Sequence, residues 1–316
     1  VKKFNKLALA VGVAGGLLAV PAMAVPISLD VRADGDGAFA LGDADTRTDT
    51  FNQLTLDGFN PTSVYYDIDN SGGVSTGDIV IDAAITTVLG LNGLDGTSTE
   101  ALGLAWGVDV SWVLEGTATV LNFDPDPNYN GLGTDALVGE FNGGEVALTC
   151  TGSCAGDEIV IDVTGSSVSD PFSGDIEIEV FGEVADVTAG FARFEAGTRA
   201  GEDFADIVLD PLDTIRVRGN SELEGGATVP AALDDGESVF DWLDARYDTS
   251  IATALDGLIA DFELRTFGEG TVADRYLRTT FLNSANIQFD VPAPATLGLL
   301  GLGLLGLGAR ARKQRS

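Results

Sequence analysis

Histidine is absent from this 316-residue chain. That excludes every mechanism built on an imidazole: the Ser-His-Asp triad, the Cys-His dyad, zinc hydrolysis with histidine ligands and haem on a proximal histidine. Lysine is absent from residues 25–294, where ten arginines face all 49 acidic residues, a net charge of −39. A body of that sign repels phosphate backbones and anionic lipid headgroups, so nucleic acid is disfavoured as a partner and cations are favoured. The same acidity would also suit a salt-adapted or extracellular protein that needs only to stay soluble. Two cysteines are too few for a metal cage. No catalytic constellation is recognisable, and no residue is assigned a catalytic role. What is present, 45% hydrophobic residues over this length, is enough for one large β domain or two smaller ones with a real core.

Period-two alternation dominates residues 25–290. The segments Glu158 to Thr164 (EIVIDVT) and Asp175 to Phe181 (DIEIEVF) place apolar residues on one face and polar residues on the other. Further strands are expected at Ile27–Val31, Ser63–Asp67, Asp78–Asp82, Leu104–Leu114, Thr117–Phe123, Val138–Leu148, Asp213–Val217 and Thr279–Phe289, separated by Gly, Asn, Asp and Pro clusters. The expected fold is mainly β, an antiparallel sandwich or jelly-roll-like body. One stretch differs. From Ser238 to Phe262, apolar residues recur at three and four, which predicts two short amphipathic helices with a break near Asp248 and Thr249. A single domain is the simpler reading, with a split near Cys150–Gly156 as the alternative.

The segment Asp67 to Asp78 (DIDNSGGVSTGD) carries oxygen side chains at loop positions 1, 3, 5, 9 and 12 (Asp67, Asp69, Ser71, Ser75, Asp78). Gly72 stands at position 6 for a sharp turn, Gly73 offers its carbonyl at position 7, and Val74 is apolar at position 8. A hard cation takes six to eight oxygen ligands, so this spacing predicts a calcium loop, of the weak extracellular class at roughly 0.1 to 1 mM. It resembles the calcium loops of dockerins and EF-hands, with Asp at position 12 in place of the longer Glu. Strand-like residues on both sides put it in a β setting. The same residues could form an Asp/Gly-rich hairpin without metal. Asp124, Asp126, Asn128, Asn130 and Asp135 have similar spacing, but Tyr129 and two prolines make a plain surface loop the expectation. Asp34, Asp36, Asp43, Asp45 and Asp49 show no ligand register. Cys150 and Cys154, separated by three residues, are expected to form a structural disulfide outside the cytoplasm. Trp106 and Trp112 share one parity along a strand and are expected in the core.

Both ends look like processing signals. Lys2, Lys3 and Lys6 precede an apolar run from Leu7 to Val20 and the triplet Ala22-Met23-Ala24. This is the pattern of a secretory signal peptide, residues 1–24, read by the Sec machinery and cleaved before Val25. At the other end, Val291, Pro292, Ala293 and Pro294 lead into an apolar stretch, residues 295–309, and then Arg310, Arg312, Lys313 and Arg315. Fifteen helical residues cover about 22 Å, short of a full hydrocarbon core but workable as a transient stop-transfer segment. Residues 291–316 resemble the PEP-CTERM sorting signal of exported proteins in exopolysaccharide-making Gram-negative bacteria, with Ala293 where that family usually has Glu. The resemblance implies processing by the membrane protease exosortase, transient anchoring in the membrane, and release to the cell surface or extracellular matrix.

Three functions follow as expectations. The first is a non-enzymatic surface or biofilm-matrix protein that contacts exopolysaccharide and binds calcium. The second is an exported enzyme acting on polysaccharide with carboxylates alone, for which exposed Trp106, Trp112 or Trp242 beside two converging acids would argue. The third is a self-assembling structural envelope protein.

Overall fold

The computed structural model describes residues 25–32, 47–48, 50–93, 96–98, 102, 105–122, 135–169, 176–209, 214–223, 230–233, 237–269, 272–279 and 282–290. The signal peptide, the sorting tail, most of the Asp124–Asp135 cluster and the Asp34–Asp49 cluster lie outside them. In chain order the strands are β1 (Ile27–Leu29), β2 (Phe51–Phe59), β3 (Thr62–Asp67), β4 (Ile79–Thr87), β5 (Gly90–Gly93), β6 (Gly96–Ser98), β7 (Trp106–Asn122) and β8 (Asp135–Gly152). They continue with β9 (Glu158–Ser169), β10 (Ile176–Val187), β11 (Ala192–Phe194), β12 (Arg216–Leu223), β13 (Ala231–Ala232), β14 (Asp274–Thr279) and β15 (Leu282–Asp290). The helices are α1 (Phe204–Val208), α2 (Val239–Asp244) and α3 (Thr249–Phe267).

The fold is mainly β and antiparallel with a small helical part, as the alternation implies. The strands form one continuous sheet in the order β11-β1-β2-β15-β12-β10-β9-β8-β7-β4-β3-β14-β13, with β5 and β6 branching from β2. The sheet curls, and side chains from β2 at one end of the path and β3 and β14 at the other line the same interior. Two hairpins supply its longest ladders. The sequence suggests a break between strands near Glu115 and Gly116, and the structure has a single strand there with a register shift between those residues. Gly116 and Gly144 allow the close approach at this irregularity: a Cβ on either would fall 2.0 Å from a backbone oxygen across the pair. Such bulges bend a long hairpin and increase its twist. A register shift also hides β2 from the sequence pattern, since the shift between Phe51 and Gln53 sets Phe51 out of phase with Leu54 and Leu56 although all three are buried.

Residue parity divides the core between the two faces of the sheet. Tyr65, Val80, Ala84, Trp112 and Leu114 point into the larger, concave core, whereas Val64, Tyr66, Ile81, Ala83 and Val113 point the other way, beneath the helices. Helix α2 is opened by a reciprocal capping box: the Asp241 N–H donates to Ser238 Oγ, and the Ser238 N–H donates to Asp241 Oδ2. Helix α3 follows after a break at residues 245–248 and buries Ala252, Leu255, Ile259 and Phe262 on one stripe. The expected helix pair is present, and the second helix runs five residues beyond the expected end. Tyr66 fastens α3 to the sheet, its hydroxyl donating to Glu263 Oε1 at 3.2 Å while Arg275 Nε pairs with the same carboxylate at 2.7 Å.

Asp82 carries a carboxylate at an inward position between Val80 and Ala84. Trp112 Nε1 donates to Oδ1 at 2.9 Å and Ser63 Oγ to Oδ2 at 2.8 Å. Burial pushes the carboxyl above its ordinary range, and these two hydrogen bonds and the charge of Arg278 only partly offset it. Between the ordinary value and the raised one, the folded protein holds a proton that the unfolded chain has released, so stability falls as pH rises through that window. The unfolding free energy of Asp82→Asn relative to the parent should therefore rise from pH 4 toward pH 7. Urea denaturation at several pH values checks this, and a difference independent of pH would contradict it.

Candidate metal centre

Strands β3 and β4 pair with Tyr65 opposite Val80 and Tyr66 opposite Ile79. Continued by one residue, that register sets Asp67 across from Asp78 at the neck of the hairpin. Both side chains are nearly inaccessible, at 1% exposure. Two like charges facing each other out of water are unfavourable unless donors or a cation compensate. On the other side of β3, Asp274 of β14 stands opposite Asp67 and is exposed, adding a third acid to the row.

The loop between the strands supplies donors. Asn70 (φ 57°) and Gly72 (φ 83°) adopt the left-handed region, which these two residue types tolerate. The turn directs backbone N–H groups inward: Ser71 donates to Asp67 Oδ1 at 3.0 Å and Asp69 Oδ1 at 2.9 Å, and Gly72 donates to Asp67 Oδ2 at 2.8 Å. Asp78 accepts from Ile68 N–H at 3.1 Å and Ser75 N–H at 2.7 Å. Burial opposes the charge on Asp67, but the Gly72 and Ser71 N–H groups outweigh it and hold its carboxyl below the usual range. Val74, the apolar loop residue, packs against the concave core. The Gly77 N–H donates to the Ala118 carbonyl and the Ala118 N–H to the Asp78 carbonyl, which ties the loop's end to β7.

One carboxylate oxygen each from Asp67, Asp69 and Asp78 lies within 4.8 Å of the others. Oxygens that bind one calcium at about 2.3–2.6 Å stand no more than about 5 Å apart, so the spacing suits a hard cation. The other expected ligands are nearby but engaged within the loop. Ser71 Oγ donates to the Gly73 carbonyl at 3.0 Å, and Ser75 Oγ donates to Asp78 Oδ2 at 3.2 Å. Coordination by Ser71, Gly73 or Ser75 would exchange those bonds for bonds to the ion.

The other expected positions are placed as follows. Cys150, near the end of β8, and Cys154, in the turn from β8 to β9, are both buried, with Cα atoms 5.6 Å apart and their sulfurs at bonding distance. Trp106, Trp112 and Trp242 are all buried, at 2%, 8% and 5% exposure, so none is a free platform for a sugar ring. Of the signal-cleavage residues, Ala22 and Ala24 lie outside the described residues. The Val25 N–H is described and donates to the Phe289 carbonyl at 3.0 Å. The sorting residues Val291, Pro292, Ala293 and Pro294 begin one residue past the end of β15. Among the described residues no helix is long and apolar enough to cross a membrane, and segment 295–309 lies outside them.

Sequence reasoning missed the group formed by Ser63, Asp82, Trp112 and Arg278 on the concave face. Its one legible trace is an acid at an inward strand position, between Val80 and Ala84.

In comparison with known proteins, the PEP-CTERM protein-sorting motif matches residues 290–313. Neither the curated proteins nor the solved structures yield a match. The motif marks an exported protein that is handed to exosortase, a membrane enzyme.

If the Asp67 carboxylate organises the loop, it matters even without metal. In excess chelator, Asp67→Ala should lose about 1–3 kcal/mol by removing the buried charged acceptor of the Gly72 N–H and one of the two acceptors of the Ser71 N–H, and Asp69→Ala, at an exposed position, less than about 1 kcal/mol. Urea unfolding of both variants measures this, and equal losses would refute the organising role.

Proposed function

We propose that this chain is a non-enzymatic protein of the cell surface or exopolysaccharide matrix, delivered by its sorting tail and stiffened by calcium at the β3–β4 loop. The observation that carries the reading is where the two processing boundaries lie. The matched motif begins at Asp290, the last residue of β15, and Val25, the expected first residue after signal cleavage, bonds to the neighbouring Phe289. Both removable segments thus leave the body from one place, and a single pole would face the membrane while either segment is embedded. The calcium loop follows β3, whose partner is β14, at the opposite end of the paired segments from Val25 and Phe289. In this arrangement the acidic loop is presented outward, where millimolar calcium can bridge it to anionic polysaccharide. Calcium there has a structural role: it neutralises the facing Asp67 and Asp78 and need not perform chemistry.

Mass spectrometry of the exported protein from strains with and without exosortase tests the sorting: the mature form should start at Val25 and lose residues beyond the Pro292–Pro294 region only when the protease is present. An identical C-terminus in both strains would defeat it. For the metal, 10 mM calcium over a dissociation constant of roughly 0.1–1 mM should stabilise the exported protein by about 1.4–2.7 kcal/mol. Asp69→Ala should lose most of that gain. A thermal shift of the same size in parent and variant would remove calcium from the loop.

A further inference from the structure

We propose that the interior of the curled sheet is a binding site for a small carboxylic acid with an apolar body, its carboxylate paired with the guanidinium of Arg278. The cavity there has a volume of about 120 Å³, near the size of a cavity that accepts one benzene ring. Its walls are mainly apolar, and the polar residues among them are Ser63, Asp82, Asn220, Asn286 and Arg278. Arg278 is the cation of this set. It is 7% exposed, yet Nη1 donates only to the Leu137 carbonyl at 2.8 Å, and Nε has no hydrogen-bond partner among the described residues. Its guanidinium carbon lies 5.3 Å from the centroid of the Tyr65 ring.

Six of the other nine arginines in residues 25–294 show what this one lacks. Arg32, Arg193, Arg199, Arg218, Arg265 and Arg275 each meet a carboxylate at 2.6–3.1 Å. Arg278 has no acid at that distance among the described residues. Asp82 is the acid that acts on it electrostatically, but its two oxygens accept from Trp112 and Ser63 and do not meet Arg278 at ion-pair distance. A buried guanidinium short of acceptors is costly, and a planar oxyanion presenting two oxygens to its fork is the matching partner. One cation is matched by one negative charge, which favours a carboxylate over a phosphate, and a cavity near the size that holds one benzene ring suits an apolar body of about five carbons behind it. This site does not depend on the sorting or calcium readings.

Gly219 supplies a means of closing the cavity without disturbing the fold. It lies on β12 between Val180 of β10 and Ile287 of β15, all three at the lining, and a Cβ there would meet nothing nearer than 3.9 Å. Hexanoate and hexan-1-ol are titrated into the exported protein by calorimetry, with Trp112 fluorescence as a second readout. Hexanoate should bind about tenfold or more tightly than the alcohol, the difference expected of a charge-assisted bond. Arg278→Met should abolish that preference while alcohol binding persists, and Gly219→Leu should abolish binding of both with the far-ultraviolet spectrum unchanged. No hexanoate binding at about 10 mM, or unchanged hexanoate affinity in Gly219→Leu, would overturn the site. Should Arg278→Met fail to fold, the ratio of acid to alcohol and the Gly219→Leu result still decide.

Discussion

The backbone ladder between residues 51–67 and 274–290 positions the rest of this protein. Strands β2 and β15 form one part of it and β3 and β14 the other. A slip of one residue would turn every side chain to the opposite face, so the ladder cannot shift without emptying both cores. With the register set, Tyr65 enters the concave interior, Val64 and Tyr66 receive the helices, and Asp67 reaches the hairpin neck facing Asp78. At the far end the same ladder delivers Phe289 to Val25.

Electrostatics follow from how few cations the body has. With ten arginines against 49 acids in residues 25–294, most carboxylates can be served only by solvent, backbone donors or ions from outside. At the hairpin neck, backbone N–H groups of Ser71, Gly72, Ile68 and Ser75 take the place of positive side chains. In the interior Arg278 meets no carboxylate at ion-pair distance among the described residues, while Asp82, the acid that acts on it electrostatically, accepts from Trp112 and Ser63. Charged groups held away from water without a direct partner are points at which a ligand of opposite sign gains more than it would on the open surface.

The functional picture joins these features to the processed ends. On the proposed reading, a body held at the membrane by a single pole would present its remaining surface, the acidic loop included, in a fixed sense. The helices α2 and α3 cover the convex side of β3 and β4 and, through Tyr66 and Glu263, connect the hairpin carrying the loop to a packed layer. That support is what a loop needs if it is to hold three carboxylates together.

Much of this was legible from contiguous residues. The spacing of Asp67, Asp69 and Asp78, the left-handed position at Gly72, the helix pair with its break and the sorting tail are each encoded within about 25 residues, where local sterics and periodicity act. Other features escaped because their signals are broken or distributed. Strand β2 loses its alternation at a register shift, and β11, β13 and α1 are too short to show a period. The convergence of Ser63, Asp82, Trp112 and Arg278, and the meeting of Val25 with Phe289, join residues far apart in the chain. Only the pairing of distant strands brings such residues together, and that pairing is chosen by burial of the whole sheet's inner face, a collective term that no single stretch of sequence carries.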